Sequence, residues 1–300
     1  MNGKHFSVML DESLKALDIK NDGVYVDLTL GRGGHSSEIL KKLKNGLLVS
    51  FDKDIAAIKE SGQFLSQYGD NFKLVHSDFR NIKKELDKLG IQKVDGILAD
   101  IGVSSPQLDE AERGFSYSKD ARLDMRMNQE QELDAQTIVN QWSENELVEI
   151  FRNYADVMLP QRVAKGIIDK RPINTTLELV DIIRESLPAA VVRKKNPAKN
   201  VFQAIRIAVN GELDALKQLL SDAPELLKKD GSLAIITFHS IEDKMVKREF
   251  GKFIRDDTGK LPVMVEKEWE AKTKNPSKQE LEINKRSRSA KLRVLTRRKD

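Results

Sequence analysis

Short apolar runs alternate with amphipathic segments over the first hundred residues. Four runs have the length and branched apolar content of buried strands: Val24–Leu28, Leu47–Phe51, Phe72–His76 and Val94–Ala99. Helical patterns between them are predicted to end near residue 43, to cover about 55–68 and to cover about 81–89. This is the rhythm of βαβ units, so we predict a parallel sheet with right-handed crossovers.

The rhythm stops after the fourth run. From Ser104 to Asn210 the chain has helical periodicity without a convincing strand. The clearest amphipathic segments are Glu144–Tyr154 and Thr176–Leu187, the second with Thr175 or Thr176 as a plausible N-cap. These patterns predict an all-helical insert over residues 104–210.

Strand character returns near the end of the chain. A helix is predicted over about Glu212–Lys228, followed by a strand at Ser232–Phe238 and strand-like alternation over Ser289–Arg297. We therefore predict one α/β domain made of residues 1–103 and 211–300, interrupted by the insert.

Composition and charge narrow the function. The 300 residues contain no cysteine, which excludes a disulfide framework, cysteine-ligated metal and a thiol nucleophile. The net charge of +4 is uneven: residues 189–211 contribute +5, residues 285–300 contribute +7, and the remaining chain is acidic. Two basic patches on an acidic body indicate a polyanionic partner, although a solvated surface with a disordered basic tail is the alternative.

No apolar run approaches a membrane span and the first residues lack a secretory signal, so a cytoplasmic protein without membrane contact is expected.

A glycine-rich turn follows the first predicted strand. The segment from Asp27 to Ser36 contains Gly31, Gly33 and Gly34, and Asp52 ends the second strand. Such glycines let the backbone approach a ligand, and an acid at that strand end can accept both hydroxyls of a ribose. The turn could also be a packing turn alone. The dinucleotide fingerprint is absent because Ser36 stands where its third glycine would be. The P-loop pattern is absent as well.

Longer motifs carry a resemblance. The spacing of Asp27, Gly31 and Gly33 is similar to that of class I methyltransferases that use S-adenosylmethionine. Six segments, at 31–36, 100–109, 112–116, 123–127, 202–213 and 238–247, resemble the bacterial 16S rRNA cytosine-N4 methyltransferase family, known as MraW or RsmH. The similarity extends from His5 to the basic tail. It departs from the family pattern at Leu30, where an aromatic is frequent, and at Lys53, where arginine is common.

The resemblance implies a fold, a cofactor and a set of residues. The fold is a class I methyltransferase, a Rossmann-like and mainly parallel sheet with an inserted all-helical domain that recognises RNA. The cofactor is S-adenosylmethionine, with no metal. The residues implied to bind the cofactor are Gly33, Gly34 and His35 along its methionine and ribose, Asp52 at the ribose hydroxyls, Phe79 against the adenine, and Asp100 and Gln107 completing the pocket. Asp78 is a weaker candidate for the adenine edge.

The acceptor chemistry favours an exocyclic amine. Methylation of pyrimidine carbon-5 through a covalent adduct needs a cysteine, whereas N4 of cytosine needs only an acceptor for its N–H. Asp100 ends the fourth strand and is the candidate catalytic residue; it could bind the cofactor, the amine or both. His239 and Ser240 could face the pocket mouth or only cap a strand-to-helix turn.

Several basic residues are candidates for holding the substrate, 16S rRNA in the small ribosomal subunit. They are Arg122, Arg126, Arg193, Lys194, Lys195 and Arg206. Arg122 and Arg126 alternate with Asp124, so a salt-bridged loop is the competing interpretation. A DNA amino-methyltransferase and a non-catalytic ribosome-assembly factor are the rival functions, and a homodimer stays open.

Overall fold

The computed structural model describes residues 7–255 and 267–299. Its strands are β1 (Val24–Asp27), β2 (Leu47–Asp52), β3 (Phe72–His76), β4 (Val94–Asp100), β5 (Leu227–Thr237), β6 (Trp269–Lys274) and β7 (Lys291–Arg297). Its helices are α1 (Leu10–Leu17), α2 (Gly34–Leu40), α3 (Ile55–Leu65), α4 (Ile82–Lys88), α5 (Ser105–Asp109), α6 (Ala135–Gln141), α7 (Glu144–Ala155), α8 (Pro160–Asp169), α9 (Thr176–Glu185), α10 (Ala189–Lys194), α11 (Ala198–Asn210), α12 (Glu212–Asp222), α13 (Ser240–Ile254) and α14 (Lys278–Ile283). Short 3₁₀ turns lie at Phe79–Asn81, Ala111–Arg113, Pro224–Leu226 and Lys285–Ser289.

The chain divides into two compact units, residues 1–102 with 214–300 and residues 103–213. The first unit holds a seven-stranded sheet of order β3-β2-β1-β4-β5-β7-β6. Strands β1 to β5 pair in parallel, and β7 is antiparallel to both β5 and β6. This order and the reversed last strand are those of the class I methyltransferase fold, which confirms the predicted fold class.

Strands β1, β2 and β4 are buried on both faces, which explains why they read as continuous apolar runs, whereas β3 at the edge of the sheet is only partly buried. In β1, Val26 faces one apolar layer and Tyr25 the other; in β4, Ile97 and Leu98 divide in the same way. Successive side chains on a strand point to opposite faces, so each run supplies two cores at once. The four predicted strands are confirmed to within a residue or two at their ends.

The predicted helix over about Glu212–Lys228 was wrong at its end. Helix α12 stops at Asp222, a 3₁₀ turn begins at Pro224, and β5 already begins at Leu227. Proline lacks an N–H and clashes with the preceding turn, so it ends the helix where its apolar pattern still continues. Asp230, just past the predicted end of that helix, has a left-handed backbone (φ 60°) within β5.

The second unit is helical around its own core. Buried residues from α6, α7, α8, α9 and α11 form one apolar cluster, with Phe151 and Ile205 fully buried in it. Within residues 103–213, all of which the structure describes, β structure is limited to one isolated bridge between Arg122 and Thr175. Thr175 is the N-cap of α9 and forms a reciprocal capping box with Glu178, so the first of the two predicted caps is confirmed.

No helix in the described ranges 7–255 and 267–299 is both long enough and apolar enough to cross a bilayer.

Candidate cofactor site

Strand order in the first unit reverses between β1 and β4. Chain order runs outward from β1 through β2 to β3 on one side, and from β4 to β5 on the other. Open α/β sheets bind ligands outside the carboxyl ends of their strands at such a switch point. Asp27 and Asp100 end the two central strands, and Asp52 ends β2 beside them. Three carboxylates therefore lie along the edge where a ligand is expected.

The glycine-rich turn is held at this edge by Asp52. Its Oδ2 accepts the backbone N–H of Gly31 at 2.8 Å, and its Oδ1 accepts the N–H of Asp54 at 2.9 Å. Gly31 (φ 50°) and Gly33 (φ 76°) have left-handed backbones, which glycine adopts without a steric cost. The side-chain position of Gly31 is open, with no atom closer than 4.0 Å to a Cβ built there. The turn thus leaves space above its backbone.

A buried polar network fixes the start of α2 to the sheet. Asp27 is fully buried and accepts hydrogen bonds from the Thr29 backbone N–H at 3.1 Å and from Ser36 Oγ at 2.7 Å. Ser36 in turn lies 2.8 Å from Ser50 Oγ on β2. The position that breaks the dinucleotide fingerprint, Ser36, is therefore the one that ties the turn to β1 and β2. The sequence interpretation noted Asp27 only as part of a spacing and did not predict this network.

Asp100 is held at its backbone and unpartnered at its side chain. Its N–H donates to Thr29 Oγ1 at 2.7 Å, while its buried Oδ1 has no hydrogen-bond partner among the described residues. Burial, followed by the negative charges of Asp27 and Glu242, raises the pKa of Asp100 to about 8. A buried carboxyl oxygen without a partner is costly to keep, so it points to a ligand that completes it. Thr29, which orders this strand end, is a second residue that the sequence interpretation missed.

His35 is the nearest titratable neighbour of that carboxyl. It is buried, its Nε2 donates to the Val8 carbonyl at 3.1 Å, and its Nδ1 lies 4.0 Å from Asp100 Oδ2. Burial lowers the pKa of His35, so the ring is neutral near pH 7. A neutral ring that donates through Nε2 has a lone pair at Nδ1 and cannot neutralise Asp100. His35 is thus a buried, neutral neighbour of Asp100, and the cofactor contact assigned to it by resemblance stays a prediction.

The pKa of Asp52 is raised to about 6, mainly by burial, while the two backbone N–H groups it accepts act in the opposite direction. Each of its oxygens uses one lone pair for those bonds and keeps a second one. The carboxylate can therefore hold the turn and accept the hydroxyls of a ribose at the same time.

The end of β3 supplies an aromatic ring and a charged cluster. Phe79 is half-buried against the core layer that also holds Val75, and it begins a 3₁₀ turn capped by Asp78. Asp78 accepts the Arg80 N–H at 3.0 Å and lies 3.6 Å from Lys53 Nζ. Asp78 is thus already engaged, which makes Phe79 the better candidate for the face of a base.

His239 follows β5 as the N-cap of α13. Its Nδ1 accepts the Glu242 N–H at 3.4 Å, its Nε2 lies 2.8 Å from Glu242 Oε1, and Glu242 is buried. The sequence left open whether His239 faces the pocket mouth or only caps a strand-to-helix turn. In the structure His239 caps the turn. Ser240, the first residue of α13, is exposed.

Gln107 belongs to the second unit and is described there. It is buried at N3 of α5, and its Oε1 accepts the Ser104 N–H at 3.0 Å in a capping box. Its contact with a cofactor stays a prediction.

The candidate phosphate-binding residues of the second unit fall into two groups. Arg122 contacts Asp124 and Asp134 at 3.2 and 2.5 Å, and Arg126 contacts Asp124 at 2.7 Å. Arg206 binds both oxygens of Glu212 at 2.8 Å. The guanidinium groups of all three arginines therefore form ion pairs within the protein. For Arg122 and Arg126 this is the salt-bridged loop given above as the competing interpretation. By contrast, Arg193, Lys194 and Lys195 are exposed at the end of α10 and form no ion pair with any described residue.

The basic tail is largely part of the sheet. The alternation of apolar and polar residues over 289–297 correctly predicted β7. The alternative that the tail is disordered was therefore wrong for this segment. Arg293 binds Asp243 at 2.7 Å, Arg298 binds Glu270 at 2.6 Å, and Arg297 donates to the Leu227 carbonyl at 3.0 Å. These three basic residues, which the sequence assigned to a tail, therefore have partners within the first unit. In the described part of the chain, no group of three or more His, Asp or Glu residues could hold a metal ion.

Comparison with known proteins gives the family. The family model of the MraW methylase family matches residues 2–298. A "Ribosomal RNA small subunit methyltransferase H" of Mycoplasmopsis agalactiae is 59% identical over 297 residues, covering 99% of each chain. A protein of the same name from Clostridium botulinum is 51% identical over 306 residues, covering 98% of this chain and 99% of its own.

Solved structures are more distant. A crystal structure of an rRNA methylase from Streptococcus thermophilus has a TM-score of 0.44 and 13% identity, covering 98% of this chain and 99% of its own. A SAM-dependent O-methyltransferase from Thermotoga maritima has a TM-score of 0.41 and 11% identity, covering 97% and 65%. The family assignment therefore depends on the family model and on the close relatives. The chain belongs to the MraW methylase family.

Proposed function

We propose that the protein is an S-adenosylmethionine-dependent methyltransferase that methylates the exocyclic N4 of a cytidine in 16S rRNA of the small ribosomal subunit. One observation carries the proposal: the buried, unpartnered Oδ1 of Asp100 lies at the switch point, beside the turn held by Asp52. The names of relatives at 51% and 59% identity support small-subunit rRNA as the substrate. Ribosome substrates would place the protein in the cytoplasm.

The residues at this edge fit S-adenosylmethionine. The cofactor is cationic at its sulfonium and its ammonium group, and a buried carboxyl without a partner is a suitable counter-charge. Asp100 would face that cation, Asp52 would hold the ribose hydroxyls, and Phe79 would cover the adenine. Gly33 and Gly34 would lie along the methionine, and His35 would close the wall behind Asp100. The contact of Gln107 with the cofactor, implied by the resemblance, stays a proposal on that ground alone.

S-Adenosylmethionine, when bound, supplies an activated methyl group to a nucleophile aligned with its S–CH₃ bond. The chain's own part is to orient the acceptor and to remove a proton. The chain has no cysteine for a covalent adduct at carbon-5, so an exocyclic amine is the acceptor that its residues can serve. Once ionised, Asp100 offers an acceptor for the N4–H, which draws electron density to the nitrogen as the new bond forms.

The RNA is proposed to bind the second unit through Arg193, Lys194 and Lys195. They are exposed and lack ion pairs in the described chain, so their charge is available to phosphates. Arg122, Arg126 and Arg206 are proposed to act indirectly, because their charge is already used by Asp124, Asp134 and Glu212. The target cytidine must leave its stack, since a paired N4 cannot reach a buried methyl donor.

Mass spectrometry of nucleosides tests the proposal. Small-subunit rRNA from cells that lack the protein should gain N4-methylcytidine when incubated with it and S-adenosylmethionine, and the Asp100→Ala variant should be inactive. The appearance of 5-methylcytidine would contradict the mechanism. Transfer to DNA in preference to rRNA would favour a DNA amino-methyltransferase. Normal cofactor binding without transfer to any RNA would favour an assembly factor.

A further inference from the structure

An exposed apolar tip lies between α7 and α8 in the second unit. Met158 is 60% exposed and Leu159 is 40% exposed, which are high values for large apolar side chains. The flanking residue Val157 is buried and its N–H donates to the Phe151 carbonyl at 3.0 Å. The tip is therefore anchored at its base while its apolar side chains face solvent.

The backbone of the tip is strained. Asp156 (φ 46°) and Leu159 (φ 51°) have left-handed conformations, which are sterically unfavourable for a residue other than glycine. Pro160 follows at the first position of α8 and fixes where that helix begins. Such strain persists only where the surrounding structure imposes it, and here it holds Met158 away from the core.

The tip is adjacent to the start of α11. Asn200 Nδ2 donates to the carbonyls of Ala155 and Asp156 at 2.8 and 3.4 Å. Lys199 is exposed and precedes Asn200 on the same helical turn, and Arg193, Lys194 and Lys195 precede that turn in the chain. Residues 156–160 and 189–200 together contain these four basic residues and one acid, Asp156. The apolar tip is thus hydrogen-bonded to the helix that carries Lys199, and the other three residues of this basic surface lie four to six positions before Lys199 in the chain.

We infer that the Met158–Leu159 tip contacts the exposed face of an unpaired base while the basic surface binds the phosphates of the same RNA strand. The inference rests on the proposed function for its substrate and adds the class of RNA that is recognised. Apolar side chains that contact bases are a recurrent device in nucleic-acid binding, and unpaired strands offer base faces that a duplex conceals. The charge balance favours RNA over a protein partner for this surface.

Salt dependence separates the two parts of the surface. A phosphate contact releases counterions, so its loss flattens the dependence of log K on log salt, whereas an apolar contact releases none. The Met158→Ser variant should bind a single-stranded small-subunit rRNA fragment on the order of fivefold more weakly, with an unchanged salt slope. Its affinity for a perfectly paired RNA of equal length should stay at the wild-type value.

Matched variants of the full-length protein make the test decisive. Leu177→Ser removes a 38% exposed leucine from α9 of the same unit and should leave RNA affinity unchanged. Asparagine tolerates a left-handed backbone better than leucine does, so Leu159→Asn should raise thermal stability while it weakens RNA binding. A loss of RNA affinity in this more stable variant cannot be due to unfolding. Wild-type affinity for the single strand in Met158→Ser would overturn the inference, as would a loss seen only with intact small subunits, which would indicate a protein partner. If instead the Arg193, Lys194 and Lys195 triple variant binds all RNA normally, the proposed RNA surface itself fails.

Discussion

Asp52 Oδ2 accepts the backbone N–H of Gly31 at 2.8 Å, so the carboxylate expected to hold a ribose also holds the glycine-rich turn. The two roles are linked because they use different lone pairs of the same group. Replacement of Asp52 therefore removes a ligand contact and releases the turn together.

Asp52→Ala should weaken S-adenosylmethionine binding by about 1.5–3 kcal/mol, the scale of hydrogen bonds to a charged group. Isothermal titration calorimetry of the folded variant measures this loss. Asp70→Ala, at an exposed acid in the same unit, is the matched control and should bind as the wild type does. Unchanged affinity in a folded Asp52→Ala protein would remove Asp52 from the cofactor site.

Cofactor binding should be linked to the ionisation of Asp100. Its pKa is raised to about 8 in the ligand-free protein, so the carboxyl is mostly protonated at pH 6–7.5. A cationic ligand favours the ionised form, so binding should release a proton and tighten as pH rises through this window. Calorimetry in buffers of different ionisation enthalpy measures the proton release.

Asp100→Asn is the control for that linkage, because its side chain has nearly the same shape and no proton to lose. The difference between wild type and variant at each pH isolates Asp100 from titration of the cofactor itself. Equal proton release by both proteins would show that Asp100 does not face the cationic ligand.

The contributions of Asp52 and Asp100 to the stability of the ligand-free protein should fall as pH rises from about 4 to about 8, whereas buried His35, whose pKa is lowered, contributes in the opposite direction. The folded-state pKa values of Asp52 and Asp100 lie above the unfolded value, so the folded protein binds more protons in this window. Urea unfolding at several pH values should show a steeper fall for the wild type than for Asp100→Asn. Parallel curves would mean that Asp100 ionises as freely in the folded protein as in the unfolded one.

The arginines of the second unit should separate by function. Replacing Arg193, Lys194 and Lys195 with Gln should reduce the salt slope of RNA binding by about 2, at about 0.7 per phosphate contact on a single strand. Arg126→Gln should leave the slope unchanged and lower stability, because it leaves the buried Asp124 with less compensation. Filter binding across salt concentrations, with thermal unfolding in parallel, measures both. A flatter slope in Arg126→Gln would return that residue to the RNA surface.

Sequence patterns predicted β1, β2 and β4 well because these strands are buried on both faces and leave continuous apolar runs. They failed at α12, where a single Pro224 outweighs an apolar pattern that continues into β5. The partners of charged side chains were the least predictable. Spacing suggested the Arg122–Asp124–Arg126 loop because its members are neighbours in the chain. The pairs of Asp243 with Arg293 and of Glu270 with Arg298 depend on the pairing of distant strands, which no local pattern contains.

The site was predictable in its residue types and not in its connections. Asp52 and the glycines stand out because few folds need an acid and such a turn at adjacent strand ends. The dependence of Asp100 on Thr29, and of Ser36 on Asp27 and Ser50, arises from side chains that meet only when β1, β2 and β4 align.

The sheet order also sets an order of events during synthesis. β5 pairs with β4 across the whole insert, and β7, which follows every other strand in the chain, lies between β5 and β6. The insert has its own core drawn from consecutive helices, so it can fold as soon as it has left the ribosome. The first four strands must wait with an open edge at β4 until β5 emerges, and β5 then keeps an open edge until β7, the last strand in the chain, has been made. A nascent chain is therefore expected to carry a finished insert beside a half-built sheet, and this is the stage at which it is most exposed to aggregation.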